Sequence, residues 1–436
     1  MKNFKDSGIE WLGEIPQHWE VVKIKFLAIF YTGDSIKDSE KHKYCFLNNS
    51  IPYISTKDID INTNVIDYNN GMFIEKNDAN FKRAYTNSIL LCLEGANAGK
   101  KIAFLDKEVC FVNKLCCISS KIKKLNSKFL FYFLQSVFFK NVFIANIKGL
   151  IGGITTDQLG NFYILFPPLK EQEQIANFLD EKCKKIANFT EKKEKLITLL
   201  KEQKQALINE TITKGLDKNI NFKDSGIEWL GEIPQHWEVV KIKFLAIFYT
   251  GDSIKDSEKH KYCFLNNSIP YISTKDIDIN TNVIDYNNGM FIEKNDANFK
   301  RAYTNSILLC LEGANAGKKI AFLDKEVCFV NKLCCISSKI KKLNSKFLFY
   351  FLQSVFFKNV FIANIKGLIG GITTDQLGNF YILFPPLKEQ EQIANFLDEK
   401  CKKIDLLIEK TEKQIKLIKE YKTTLINQAV CGRINN

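Results

Sequence analysis

The sequence predicts a mixed α/β globular unit of α+β character, present in two copies and joined by two long helices that form an antiparallel coiled coil. Three observations lead there. Residues 3 to 186 recur without a single change as residues 221 to 404, at a constant offset of 218 over 184 positions. Within each copy, short apolar runs are separated by Gly, Asn and Asp, the pattern of short strands and turns. Each copy then passes into a Gly- and Pro-free stretch rich in Lys, Glu, Gln and Leu, the pattern of one long helix. An identity of this length far exceeds a solenoid repeat, so a domain-sized unit is written twice.

Taken in order, Phe4 to Trp19 is broken by glycine and proline and carries Trp11 and Trp19, which reads as an irregular lead-in pinned by aromatics. Glu20 to Phe26 alternates in polarity and is a predicted strand. The runs Ile51 to Ile54, Ser88 to Leu93, Lys101 to Leu105 and Cys116 to Ile118 predict further strands of a curved sheet. One aromatic-rich helix is predicted over Ser127 to Phe143, where Phe129, Phe133, Val137 and Lys140 or Asn141 share a face.

Pro167-Pro168 as a start and Gly215 as a stop then bracket a helix over Lys170 to Lys214, roughly 65 Å long at about 1.5 Å per residue. Leu179, Ile186, Leu200 and Leu207 fall on one heptad position with Lys193 interrupting, and Phe189 and Leu196 on the companion position. In the second copy Leu397, Ile404, Ile418 and Leu425 repeat the stripe, with Leu407 beside them. The implied domains are 1–168 and 216–386 for the globules and 169–215 and 387–436 for the helices. Matching stripes in one chain pack most simply on each other, which places a two-fold axis across the middle of the rod and a globule at each end. The same stripes would also serve two separate helices, each lying on its own globule.

The 436 residues are 45% hydrophobic and include 35 Phe, enough for two real cores. A net charge of +13 favours a polyanionic partner, although a Lys-, Asn- and Ile-rich vocabulary also reflects AT-rich coding. Of 13 cysteines, each copy holds six (Cys45, Cys92, Cys110, Cys116, Cys117 and Cys183 in the first), and Cys431 stands alone. No CxxC pair exists, and only His18, His42 and their copies could complete a metal site, so neither zinc nor a disulfide framework is indicated. Met1 to Asp6 lacks the apolar core of a signal peptide and no run of about 18 apolar residues occurs, so a soluble, cytoplasmic chain is expected.

Catalytic motifs are missing. Gly95-Ala96-Asn97-Ala98-Gly99-Lys100-Lys101 has three residues between its glycines where a phosphate loop needs four, and Lys101 where Ser or Thr must meet magnesium. Phe166-Pro167-Pro168 has the two prolines of the catalytic turn of amino-methyltransferases, but Phe166 has no amide or carboxylate to polarise a base amine. No HExxH, GxSxG or paired-carboxylate nuclease signature is present.

What each globule offers is polar, basic loops: Tyr53 to Asp58, Gly95 to Lys101, and Lys148 to Thr156. Lys57, Lys100, Lys101 and Lys148, with their copies Lys275, Lys318, Lys319 and Lys366, are candidates to neutralise phosphate. Ser55, Thr56, Asn97, Thr155 and Thr156, with Ser273, Thr274, Asn315, Thr373 and Thr374, are candidates for base or groove contacts. Ordinary surface turns share this composition.

Several segments together carry a resemblance. They are Lys5-Asp6-Ser7-Gly8-Ile9-Glu10-Trp11-Leu12-Gly13-Glu14-Ile15-Pro16-Gln17-His18-Trp19, Ile51 to Ile59, Phe166-Pro167-Pro168-Leu169-Lys170-Glu171-Gln172-Glu173-Gln174-Ile175-Ala176-Asn177-Phe178-Leu179-Asp180, and Leu200 to Asn209. This set, appearing twice in order over nearly the whole chain, resembles the specificity subunit of Type I restriction-modification systems. The resemblance implies two target recognition domains separated by two long helices and a bipartite target in double-stranded DNA. It also implies a non-catalytic subunit that recruits two adenine methyltransferase subunits and, in the full enzyme, two ATP-driven restriction subunits. S-adenosylmethionine, ATP and magnesium would then sit only on those partners, with no cofactor and no metal on this chain. In that family the two domains usually differ and read an asymmetric site. Here they are identical, so the expected target is a gapped palindrome with the modified adenine in both halves, and the helices are expected to set its spacing. The rival reading is a coiled-coil scaffold joining two protein-binding globules without DNA recognition.

Overall fold

The computed structural model describes residues 3–10, 12–45, 50–149, 152–227, 230–263, 268–367 and 370–434. Trp11 of the lead-in, Leu150 and Ile151 of the third loop, the first two residues and the last two lie outside them. The chain divides into two compact units, residues 1–194 with 413–436, and residues 195–412. Both boundaries fall inside the long helices.

In the first unit, strands Ala28–Thr32, Leu115–Ser120, Ile89–Cys92 and Ile102–Phe104 form, in that order, an antiparallel sheet. Its central strands do not alternate in polarity because both faces are covered. Ile89, Leu91, Cys116 and Ile118 face the main core with the helices, while Leu90, Cys92, Leu115 and Cys117 face a second core beneath the other sheet. That second sheet runs Phe73–Glu75, Ser50–Ile54, Val109–Phe111, Arg83–Ala84, with its middle pair parallel. The predicted strand at Glu20 stops early: only Glu20–Lys23 is extended, pairing antiparallel with Tyr163–Phe166, and a 3-10 turn takes Ile24–Phe26. The lead-in folds as a short ribbon, Phe4–Asp6 on Glu14–Pro16.

The single helix expected over Ser127 to Phe143 is two helices, α1 (Ser127–Phe133) and α2 (Val137–Ala145), bent by 65°. Each has its own cap, since the Asn126 side chain accepts from the Phe129 amide and the Ser136 hydroxyl from the Phe139 amide. The bend turns Phe139 and Phe143 into the core and leaves Val137 exposed. A short α3 (Thr156–Gly160) comes next, and then α4 (Leu169–Lys214) begins directly after the two prolines and ends at Gly215, whose φ of 72° suits a helix stop. The second copy repeats these as α5 (Ser345–Phe351), α6 (Val355–Ala363), α7 (Thr374–Gly378) and α8 (Leu387–Val430), with its sheets in the same strand order. Among the described residues no single helix is long and apolar enough to cross a membrane.

Three side chains fasten the start of α4 to its globule. Gln172, fully buried, donates from Nε2 to the carbonyls of Lys124 and Pro167 and accepts from the Asn126 amide. Glu171 accepts from the Trp19 indole at 3.0 Å and lies 2.6 Å from His18 Nε2, and Asp180 binds the Tyr132 hydroxyl and Lys128. The face so fixed, Gln172, Ala176, Leu179, Cys183 and Ile186, steps alternately by four and three residues. It carries on along α4 as Thr190, Lys193, Ile197, Leu200, Lys204, Leu207 and Thr211. The companion heptad position is therefore the Cys183 series, and the Phe189 and Leu196 assignment is corrected. These two are 40% and 39% exposed, and Leu407 is 51% exposed. Docking on the globule, which the sequence pattern alone does not show, selects between two seams of comparable apolarity. Leu179, Ile186, Leu397, Ile404 and Leu425 are buried, while Leu200, Leu207 and Ile418 are half-buried.

The long helices pair antiparallel within each unit. In the first, Glu194 meets Lys419 at 3.8 Å, and Leu179 and Ile186 share a core with Leu425, Ile426, Ala429 and Val430. In the second, Lys204 meets Asp405 at 2.7 Å, and Ile208 and Ile212 share a core with Ile393, Leu397 and Cys401. Each globule is thus closed by the last turns of the helix that belongs to the other copy. Asn427 accepts from the exposed first amide of α2 and Asn209 from that of α6, at 2.8 and 3.0 Å.

Two outcomes are predicted. A Cβ on Gly33 would sit 1.8 Å from the Phe111 carbonyl oxygen, and one on Gly251 would meet Phe329 identically. Gly33→Ala and Gly251→Ala are each expected to cost about 2–3 kcal/mol in urea unfolding, and an unchanged midpoint would count against the packing described. Second, residues 1–218 alone expose the α4 stripe and lack the α8 turns that close their globule. Burying each Leu or Ile is worth about 1.5–3 kcal/mol, so this half should dimerise at micromolar concentration in light scattering. A folded monomer would refute the shared closure.

Candidate nucleic-acid interface

The three polar loops singled out in the sequence lie side by side on each globule. Gly95 donates its amide to the Gly152 carbonyl at 2.8 Å, Ile154 donates to Leu93 at 3.1 Å, and Glu94 bridges Gly153, which joins the second and third loops. Lys101 Nζ donates to the Thr56 carbonyl at 2.6 Å and ties the second loop to the first. Glycine is needed where the loops meet. A Cβ on Gly153 would lie 2.7 Å from the Leu93 oxygen, and one on Gly99, at φ 70°, would lie 2.6 Å from the Phe143 ring.

This geometry sorts the candidates. Lys57, Lys100 and Lys148, and their copies Lys275, Lys318 and Lys366, are exposed. Lys100 makes only a local bond, to the Ala96 carbonyl at 3.1 Å. Asn97 and Thr156, with Asn315 and Thr374, are half-buried beside them, and the Thr56 and Thr274 carbonyls serve the neighbouring lysines. Lys101 and Lys319 are half-buried, and each holds a backbone carbonyl of the first loop with one of its N–H groups. Ser55 and Ser273 are engaged as well: amide and hydroxyl both donate to Asp58 or Asp276, at 2.8 and 2.6 Å. Thr155 and Thr373 cap α3 and α7, accepting from the amides of Gln158 and Gln376.

The Gly95 to Lys101 turn is not a phosphate cradle. The amides of Gly95, Ala98, Gly99, Lys100 and Lys101 all donate to carbonyls of the protein, which leaves those donors unavailable for a phosphate. Among the described residues no group of three or more His, Cys, Asp or Glu side chains is placed to hold a metal ion. Burial pushes the Cys110 and Cys328 thiols up to about 12 and also raises Cys92 and Cys310, which disfavours their thiolates.

Sequence reasoning missed one part of the surface. In the second unit a cleft of about 740 Å³ opens between the globule and the helix pair, lined by Lys201, Lys204, Lys318, Lys358, Lys402 and the loop at Asp278 to Val283. That loop is held by Asn282, which has a φ of 59° and donates to Gln353 at 2.9 Å. Burial holds Lys358 below the usual lysine range. The available signal was a lysine inside the aromatic helix Val355–Ala363, but placing it needs the seam register, which comes only from docking.

The Type I restriction modification DNA specificity domain matches this chain twice, over residues 16–199 and 234–417. The Type I restriction enzyme MjaVIII specificity subunit of Methanocaldococcus jannaschii is 29% identical over 99% of this chain and 96% of its own length. Two solved chains share the fold over 96% of this one. One, from work on complex assembly and conformational transition of the type I R-M system, has a TM-score of 0.74 at 18% identity and is covered over 99% of its length. The other, the HsdS subunit from Thermoanaerobacter tengcongensis, has a TM-score of 0.52 at 17% identity and is covered over 98%. With two such domains filling most of its length, on mixed sheets joined to a pair of packed long helices, the chain belongs to the Type I restriction-modification DNA specificity family.

Proposed function

We propose that this chain reads DNA sequence for a Type I restriction-modification enzyme and has no chemistry of its own. It binds a bipartite duplex site, each globule taking one half, and recruits adenine methyltransferase and restriction subunits. S-adenosylmethionine, ATP and magnesium reside on those partners. The observation that carries the reading is the identity of the two globules, each bringing the same three loops together with Lys57, Lys100 and Lys148 exposed on them. Identical readers recognise identical bases, and a two-fold symmetric duplex is the simplest target that presents the same bases to two copies of one reader. The half-sites are then the two arms of a gapped palindrome, with the adenine modified in each.

Selection of duplexes from a random pool by the purified chain is expected to enrich one sequence and its inverted copy at a fixed gap. Two unrelated halves would contradict the two identical readers, and no duplex binding at physiological salt would leave the scaffold reading instead. Lys57→Gln, Lys100→Gln and Lys148→Gln, each made in both copies, should weaken binding to all duplexes alike. Each should also lower the slope of log K against log salt by about 1 for every phosphate no longer neutralised. A slope unchanged in all three would place the DNA elsewhere.

A further inference from the structure

The identity of the two copies ends at Ile186 and Ile404, part-way along the long helices, and the next residue is Ala187 in one and Asp405 in the other. Identical globules are therefore closed by helix faces that differ. In the second unit Lys204 sits in the seam, only 15% exposed, with its ammonium 2.7 and 2.8 Å from the two carboxylate oxygens of Asp405. Beside it, Lys358 of α6 donates to Gln205 Oε1 at 3.0 Å. Both ammonium groups have acceptors.

The register of the first unit is set by Asn427, which bonds the first amide of α2 as Asn209 bonds that of α6. Lys422 then corresponds to Lys204, Thr423 to Gln205, Ala187 to Asp405 and Lys140 to Lys358. The acceptors are gone. Ala187 has only a methyl group, and the Thr423 hydroxyl is turned to the Lys419 carbonyl at 3.2 Å. Among the described residues neither the Lys140 nor the Lys422 ammonium has a hydrogen-bond or salt-bridge partner, and both are half-buried. Burial, and then the charge of Lys422, hold Lys140 below the usual lysine range, so the two are close enough to repel.

We propose that the first unit holds a DNA backbone phosphate between Lys140 and Lys422 and that the second unit holds none at Lys204 and Lys358, so that two identical readers grip identical half-sites with unequal electrostatics. Two half-buried lysines whose charges repel call for an anion with several oxygens, and a phosphate can accept from both. DNA is favoured over an acidic side chain of a protein partner because α2, which carries Lys140, belongs to the reading globule. In the second copy the loop lysine Lys318 also lines the corresponding cleft, and its equivalent here is Lys100. This inference rests on the DNA-reading role proposed above.

The test is the salt dependence of binding of the full chain to a symmetric duplex, with the fold of each variant monitored by thermal melting. Lys422→Gln should lower the slope of log K against log salt by about 1 and weaken binding several-fold. Ala187→Asp, which supplies the missing acid, should do the same without removing a cation. The double variant Lys204→Gln with Asp405→Asn should leave the slope unchanged, whereas Asp405→Ala, which frees Lys204, should raise it. Equal loss from Lys422→Gln and the double variant would overturn the inequality. A normal slope in Lys422→Gln and Ala187→Asp would overturn the phosphate site, and a normal slope with lost methyltransferase co-purification would hand the lysine pair to a protein partner. Wild-type chain that binds no duplex would remove this proposal together with the DNA-reading role, an outcome distinct from wild-type binding with equal slopes.

Discussion

The structure depends on the closure of each globule by a helix end that its own copy does not supply. Leu425, Ile426, Ala429 and Val430 are buried in the same core as Trp19 and Phe129, while Ile208 and Ile212 do the same for Trp237 and Phe347. Gly432 reaches so far into the first globule that a Cβ there would lie 2.6 Å from Pro16. Apolar burial of this kind is worth about 1.5–3 kcal/mol per large side chain, several times what a surface ion pair contributes. It therefore decides the pairing of the helices, and the pairs at Lys204–Asp405 and Glu194–Lys419 refine it.

From that constraint the loops acquire their positions. Gln172 and Asp180 hold α4 against α1, the bend after α1 turns α2 toward the core, and α2 packs Phe143 under Gly99. The three polar loops are thus carried on packed sheet ends and helix caps. Gly99 and Gly153 serve close packing, while Lys57, Lys100 and Lys148 face the exterior.

Much of this was legible in the sequence, and the exceptions have physical reasons. The long helices were marked by the prolines before Leu169 and by Gly215, because proline and glycine act locally. The strands at Ile89 and Leu115 were marked by apolar runs, whereas Arg83–Ala84 and Val109–Phe111 are too short to show a period. The break between α1 and α2 was hidden because Gln135 and Ser136 disturb the helical pattern little, yet the Ser136 hydroxyl caps α2. The seam was mislaid to Phe189 and Leu196 because side-chain size does not reveal which face docks. In the three polar loops, the sequence shows the composition but not which side chains are tied up inside the fold. Lys57 and Lys101 look alike as letters, and only the Thr56 carbonyl beside Lys101 tells them apart.

Under the proposed function, repetition of one reader in one chain would make the protein bivalent toward a duplex that offers the same bases twice, with the second contact made at the effective concentration set by the first. The central claim is that both globules read, and that they read the same thing. The direct measurement is the affinity of the purified chain for its selected duplex, compared with duplexes in which the left half, the right half or both are scrambled at constant length and salt. The account predicts that scrambling either half weakens binding by the same factor, on the order of 10² or more, and that scrambling both leaves only nonspecific affinity. If one half can be scrambled without loss, the two globules are not two readers of one sequence.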